Sequence, residues 1–240
     1  MTTNKEIIKL GLAMLELKGF GRAKVRACIE KMQQIPNTPI EAADALDNYI
    51  QETGKTLPEF SKNSLGLAMD IAEVTMLKCA ENEINIDYIT ANDERTWVRR
   101  YASIPSAPLF IFSLGDTSVM DMPTIAIIGT RNPTSIGRTM AKSVARKSVN
   151  AGFCVVSGLA MGCDIEAHKS TLENNGKTAA VLAHGLDEVH PTQHTEIARQ
   201  IIEQGGCLLS EYSPGTPIER GNFVDRDRLQ SGASLGVLVI

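Results

Sequence analysis

The residues best suited to chemistry follow apolar runs. Gly129-Thr130-Arg131 ends the run TIAII and precedes a helix start at Thr134 or Ser135, the layout of a phosphate cradle. Gly129 reads as part of that cradle or as a tight strand-to-helix turn. Arg131 reads as a phosphate ligand, because its guanidinium can grip an anion with two parallel hydrogen bonds. A second loop of the same kind, Ser157-Gly158-Leu159-Ala160, closes the run FCVVSG. Further on, Arg220, Gly221, Asn222 and Phe223 place a cation, a flexible residue, an amide and an aromatic side by side. A phosphate-binding Arg beside a base-stacking Phe holds single-stranded nucleic acid without regard to sequence. Taken alone, the same residues read equally as a core Phe and a surface Arg. DRDRLQSG then adds Arg226 and Arg228, with Asp residues beside them.

Other chemistries find less support. GTRNPTSIG places Gly129 and Gly137 eight positions apart, so the GxGxxG dinucleotide fingerprint is absent and no cofactor is expected. SGLA is not GxSxG, and His168 falls inside a helical stretch where it caps or braces. Asp164 and Glu166, at the start of that stretch, read as compensation of the helix dipole. The five cysteines form no CxxC pair and read as small hydrophobes, and the four histidines lack metal-site spacing. The chain is therefore expected not to be an enzyme. Two alternatives remain. Pro214-Gly215-Thr216-Pro217-Ile218-Glu219 keeps PGTxxE of the phosphoribohydrolase motif PGGxGTxxE but lacks its glycine pair. A nucleotide-sensing domain signalling through a helical front is the other.

The elements that must position these loops are legible from periodicity. From residue 108 onward LFIFSLG, TIAIIG, FCVVSG, TAAVLAHG, CLLSEY and LGVLVI alternate with helical segments. Short, barely alternating apolar runs of this kind make a mainly parallel sheet buried on both faces. The fold class is thus α/β, Rossmann-like and doubly wound, over 86–240, preceded by a small helical domain over 1–85. In an open sheet of this class ligands sit beyond the carboxyl ends of the strands, where the loops above lie. In the helix after GTR, Ile136, Met140, Val144 and Ala145 are expected to face the sheet, with Arg138, Lys142, Arg146 and Lys147 solvated. In the front domain, Gly19-Phe20-Gly21 between two helices, followed by Arg22, Lys24 and Arg26, reads either as a DNA-binding helix-hairpin-helix or as a plain helical hairpin.

With 240 residues and 43% hydrophobic content the chain can bury a core, and its net charge of −4 restricts nucleic-acid contact to a local patch. No apolar run reaches the roughly 18 residues of a membrane span, and MTTNKEIIKLGLAML lacks a signal-peptide layout, so the cytoplasm is expected and a membrane is not.

Together AIIGTRNPTSIGR, VVSGLAMGCDIEAHKSTLENNGKTAAVLAHGLDEVHP, LLSEYSPGTP and GNFVDRDRLQSGASLGVLVI resemble, in order and spacing, the DprA/Smf DNA-processing family. LELKGFGRAK and ITANDERTW are similar to the family's front more loosely, with Thr96-Trp97 where a Tyr-Pro is common. The resemblance implies a protein without turnover that binds and protects single-stranded DNA, helps load the RecA recombinase in natural transformation, and forms a homodimer at full length. It carries DNA contacts onto Gly129, Thr130, Arg131, Arg220 and Phe223. Three departures stand out. Thr192 follows His190-Pro191 where a basic residue is usual, Arg226-Asp227-Arg228 puts a carboxylate where the family's Arg-Asn-Arg triplet has an amide, and the chain stops at LGVLVI before the family's next glycine-rich loop. A shortened chain is therefore expected.

Overall fold

The computed structural model describes residues 4–240. The first three residues of the stretch read for a leader lie outside them. Two compact units are resolved, one formed by residues up to Asn82 with Ile86–Tyr88 and Pro108–Phe110, the other by Glu83–Asn85, Ile89–Ala107 and Ile111–Ile240.

The first unit is built on four helices, α1 (Asn4–Glu16), α2 (Arg22–Lys31), α3 (Pro39–Thr53) and α4 (Lys62–Glu81). Leu10, Met14, Val25, Cys28, Leu46 and Leu65 form its buried interior. A capping box starts α3: Thr38 accepts from the Glu41 amide, and the Glu41 carboxylate accepts from the Thr38 amide. Between α1 and α2, Gly19 takes a left-handed φ of 84°, and Lys24 Nζ donates to its carbonyl at 3.2 Å. Arg26 donates to Pro108 O at 2.6 Å, and its guanidinium lies 5.8 Å from the Tyr88 ring centre. Both cations thus engage groups of their own unit.

The strands are β1 (Asn85–Tyr88), β2 (Phe110–Gly115), β3 (Thr124–Ile128), β4 (Cys154–Ser157), β5 (Thr178–Leu182), β6 (Cys207–Ser210) and β7 (Val237–Val239). They form a seven-stranded sheet in the order β1-β2-β6-β5-β4-β3-β7. The ladders from β6 to β7 are parallel, while β2 joins β6 antiparallel, with Phe112 opposite Ser210. The chain steps from β3 to β4, β5 and β6 in one direction, then returns to lay β7 on the other side of β3. That reversal makes the doubly wound α/β sheet expected from the sequence, and it puts a crevice at the end of β3.

Helices α5 (Thr96–Ser103), α6 (Ser135–Asn150), α7 (Cys163–Glu173), α8 (Thr195–Glu203) and α9 (Arg220–Ala233) complete the second unit. Successive strand residues serve opposite faces. Val156, Val181 and Leu209 pack with Trp97 and Tyr101 of α5 and Leu229 and Ala233 of α9. Val155 and Ile127 pack with Ala145 of α6 and Ala167 of α7. Arg100 fixes α9 on its face by donating to Ala233 O at 3.1 Å and to Thr124 Oγ1 at 2.9 Å.

Helix α6 corrects one expectation. Ala145 is buried and Val144 partly buried, but Ile136 and Met140 are 76% and 53% exposed, and Ala141, Ala145 and Ser148 form the inner face. Small residues win because α7 lies close: Ser170 Oγ donates to Lys142 O at 2.9 Å. Of the expected solvated cations, Arg138 and Lys142 share the Glu166 carboxylate of α7 at 3.4 and 3.3 Å.

Candidate nucleic-acid interface

Gly129-Thr130-Arg131 leaves β3 at the crevice. A side chain at Gly129 would meet Cys163 Sγ at 2.7 Å, so only glycine allows the loop to pass the start of α7. The Thr130 carbonyl accepts from the Cys163 amide at 3.1 Å, pinning the loop to that helix. Thr130 Oγ1 accepts from the Asn132 amide at 3.2 Å, which leaves the hydroxyl proton available to a ligand. Gly162, at φ 87°, lies so close to Thr130 O and Arg131 that no Cβ fits. The helix after the loop is capped from within, Thr134 accepting from the Gly137 amide at 3.1 Å.

Arg131 is exposed, and among the described residues no carboxylate pairs with it. Its guanidinium stands 4.9 Å from the centre of the Phe223 ring, a cation–π contact. The structure therefore joins the two sequence segments read separately as phosphate grip and base platform. The pair walls two hollows. One, of about 410 Å³, reaches Gly129, Thr130, Asp227 and Ile240. The other, of about 100 Å³, is lined by Met161, His184, His190 and Pro191.

Phe223 is aimed by α9. Arg226, Leu229, Gln230 and Ala233 are its buried residues, and Phe223 extends that stripe by one turn toward the crevice. Arg220, three positions before Phe223 and so on a neighbouring face, is exposed at the helix start. It does not line either hollow. The Asn222 amide donates to Pro217 O at 3.4 Å and thus serves its own loop. In the same loop Thr216 Oγ1 donates to Ser213 O at 2.7 Å, and Glu219 stands exposed at the N-cap of α9.

The second loop does not form the expected anion site. Ser157 is fully buried and its hydroxyl donates to Ile127 O at 2.6 Å. The Gly158 amide donates to Asp164 Oδ2 at 3.0 Å, so the protein's own carboxylate already occupies the place read for a phosphate. Arg226 changes role as well. It is only 4% exposed, and NH1 donates to Gly158 O at 3.0 Å and also to Val181 O, tying α9 to the ends of β4 and β5. A Cβ at residue 158 would collide with this guanidinium, which explains the glycine. Arg226 Nε pairs with Asp227 at 3.2 Å. Arg228 pairs with Glu211.

Asp164 was legible as a helix-start acid but not as the brace of this loop. The available signal is Gly162 two residues earlier, a glycine that folds SGLAMGCD back on itself. Burial pushes the Asp164 carboxyl up to about 6, against the pull of Arg226 and of the Gly158 and Ala160 amides. His168 is the brace expected of it: Nδ1 bonds Thr178 Oγ1 at 2.8 Å, and burial drives its pKa down to about 3. Since Thr178 donates its own proton to Val155 O, His168 Nδ1 carries the hydrogen. His184 uses both ring nitrogens within the chain, Nδ1 on Gly185 O and Nε2 on the His190 amide. His194 bonds Leu159 O at 2.7 Å. All five cysteines are buried free thiols, and the described residues contain no His, Cys, Asp or Glu cluster suited to a metal.

A family model described as DNA recombination-mediator protein A matches residues 88–240. The chain belongs to that family. This agrees with the resemblance carried by the motifs around Arg131 and Phe223. The chain is 40% identical to protein Smf of Synechocystis over 160 residues, which cover 65% of this chain and 40% of that protein. It is 29% identical to the DNA processing protein DprA of Bacillus subtilis over 210 residues, 87% of this chain and 64% of the relative. The chain thus spans well under two thirds of the Synechocystis relative. The X-ray structure of DprA from Streptococcus pneumoniae shares the fold, with a TM-score of 0.73 at 24% identity, covering 100% of this chain and 78% of that one. DprA from Helicobacter pylori, described for a unique single-stranded DNA binding mode, superposes with a TM-score of 0.56 at 29% identity, over 65% of this chain and 68% of that one.

Proposed function

We propose that this chain binds single-stranded DNA in the crevice beyond β3, with Arg131 gripping phosphate and the Arg131–Phe223 pair stacking an unpaired base. The observation that carries this reading is the exposed Arg131 guanidinium over the Phe223 ring, at 4.9 Å and, among the described residues, without a carboxylate partner. Backbone charge and aromatic stacking together suit single strands, whose bases are free to leave their stack. Gly129 and Thr130 shape the phosphate side, and Arg220 adds charge at the neighbouring helix start. Ser157, Gly158 and Arg226 support the crevice from beneath, and Asn222 holds the loop before Phe223.

The family description, DNA recombination-mediator protein A, and the relatives' name, DNA processing protein, support a role in DNA processing; within it we propose that the chain protects incoming DNA and helps to load RecA during natural transformation, in the cytoplasm and without catalytic turnover. On the same reading the protein works as a homodimer.

Fluorescence anisotropy with a labelled single strand, the matching duplex and mononucleotides tests the binding reading. The single strand is expected to bind best, and its affinity to fall with salt. Tight binding of mononucleotide alone would overturn the reading.

A further inference from the structure

Asp227 lines the same hollow as Phe223 and Arg131. Asp227 and Phe223 are four apart on α9, so their side chains are neighbours about 6 Å apart at Cβ. The Asp227 side chain is 57% exposed, and the hydrogen bond to Arg226 Nε uses only Oδ1. Oδ2 is left to a ligand, and Oδ1 keeps a second lone pair. Arg226 is locked by its two carbonyl partners and holds the carboxylate in place.

We infer that Asp227 makes this hollow selective for guanine. The inference rests on the single-strand reading above. An ionised carboxylate only accepts hydrogen bonds. Guanine alone among the DNA bases carries two adjacent donors on its pairing edge, N1–H and N2–H, which match the two carboxylate oxygens. Thymine flanks its single N–H with two carbonyl oxygens, which a carboxylate repels. Adenine and cytosine each offer one amino donor beside a ring nitrogen acceptor. Asp227 therefore weakens phosphate binding in general through its charge and returns affinity to a strand that places guanine on Phe223.

The test uses the full chain with labelled dT hexamer and the same hexamer carrying one internal dG, dA or dC. A single dG is expected to tighten binding about fivefold, the low end for a two-bond base contact, with dA and dC in between. Asp227→Asn, at an exposed position, is expected to bind the dT hexamer more tightly while the dG preference falls to near one. A wild type that binds both hexamers equally, or an Asp227→Asn variant that keeps the preference, overturns the guanine assignment and leaves the single-strand reading intact. Failure of wild type to bind any hexamer removes both.

Discussion

Two residues beneath the crevice, Asp164 and His168, give it a distinctive response to pH. The folded Asp164 carboxyl titrates near 6 against an ordinary 3.8, so between these values the folded state holds the extra proton and stability falls as pH rises. Its contribution is whole below about pH 4 and lost above about pH 6, a difference of about 3 kcal/mol. His168 acts in the opposite sense: with its pKa at about 3 instead of 6.5, it costs stability as pH falls. Asp164→Asn keeps an acceptor for the Gly158 amide and removes the charge. Urea melts across pH 4 to 7 should show the variant gaining on the wild type as pH rises, and parallel curves would contradict this. Gly162→Ala tests the packing of the same loop. Its positive φ and its contact with Thr130 O predict a loss of about 2 kcal/mol or more in the same melts.

Among the elements, α9 does most to set the crevice, because Arg226 joins it to the ends of β4 and β5. Arg226→Met would leave the Gly158 and Val181 carbonyls unpaired and Asp164 without its cation. A loss on the order of 3 kcal/mol at pH 7 is expected from urea unfolding. Because Arg226 holds the Asp164 pKa down, the variant should also lose stability up to a higher pH than the wild type. Much at this scale was legible in the sequence. The runs at 109–115, 124–129 and 153–158 contain β2, β3 and β4, because a strand buried on both faces needs an unbroken apolar stretch. Periodicity did not decide which side of α6 turns inward. Ile136 and Met140 lie outside because α7 approaches over Ala141, Ala145 and Ser148, a choice made by tertiary packing. Ser157 and Gly158 looked like a second anion loop for a related reason: Asp164 fills that loop only once α7 has formed and turned its first residues back.

For the whole molecule, the net charge of −4 leaves anion binding to a few residues. Some surface cations are balanced nearby, as where Arg199 pairs with Glu196 and Glu203. No helix of the described residues is long and apolar enough to cross a membrane. If Arg131 and Arg220 each engage one phosphate, log affinity should fall against log salt with a slope of about −1.4, and Arg131→Ala should bring it to about −0.7. The α/β class was legible across the molecule because its signal repeats in every strand. The site was legible only in halves: Arg131 and Phe223 are far apart in sequence, and only the return of the chain from β6 through α9 to β7 brings them together.

The most direct measurement is a double-mutant cycle on single-strand affinity with Arg131→Ala, Phe223→Ala and the pair. Each single variant should weaken binding about tenfold or more, consistent with one stacking or charge contact. The double variant should lose less than the sum in free energy, because the two side chains act as one stacked unit. Wild-type affinity in the double variant would contradict the account.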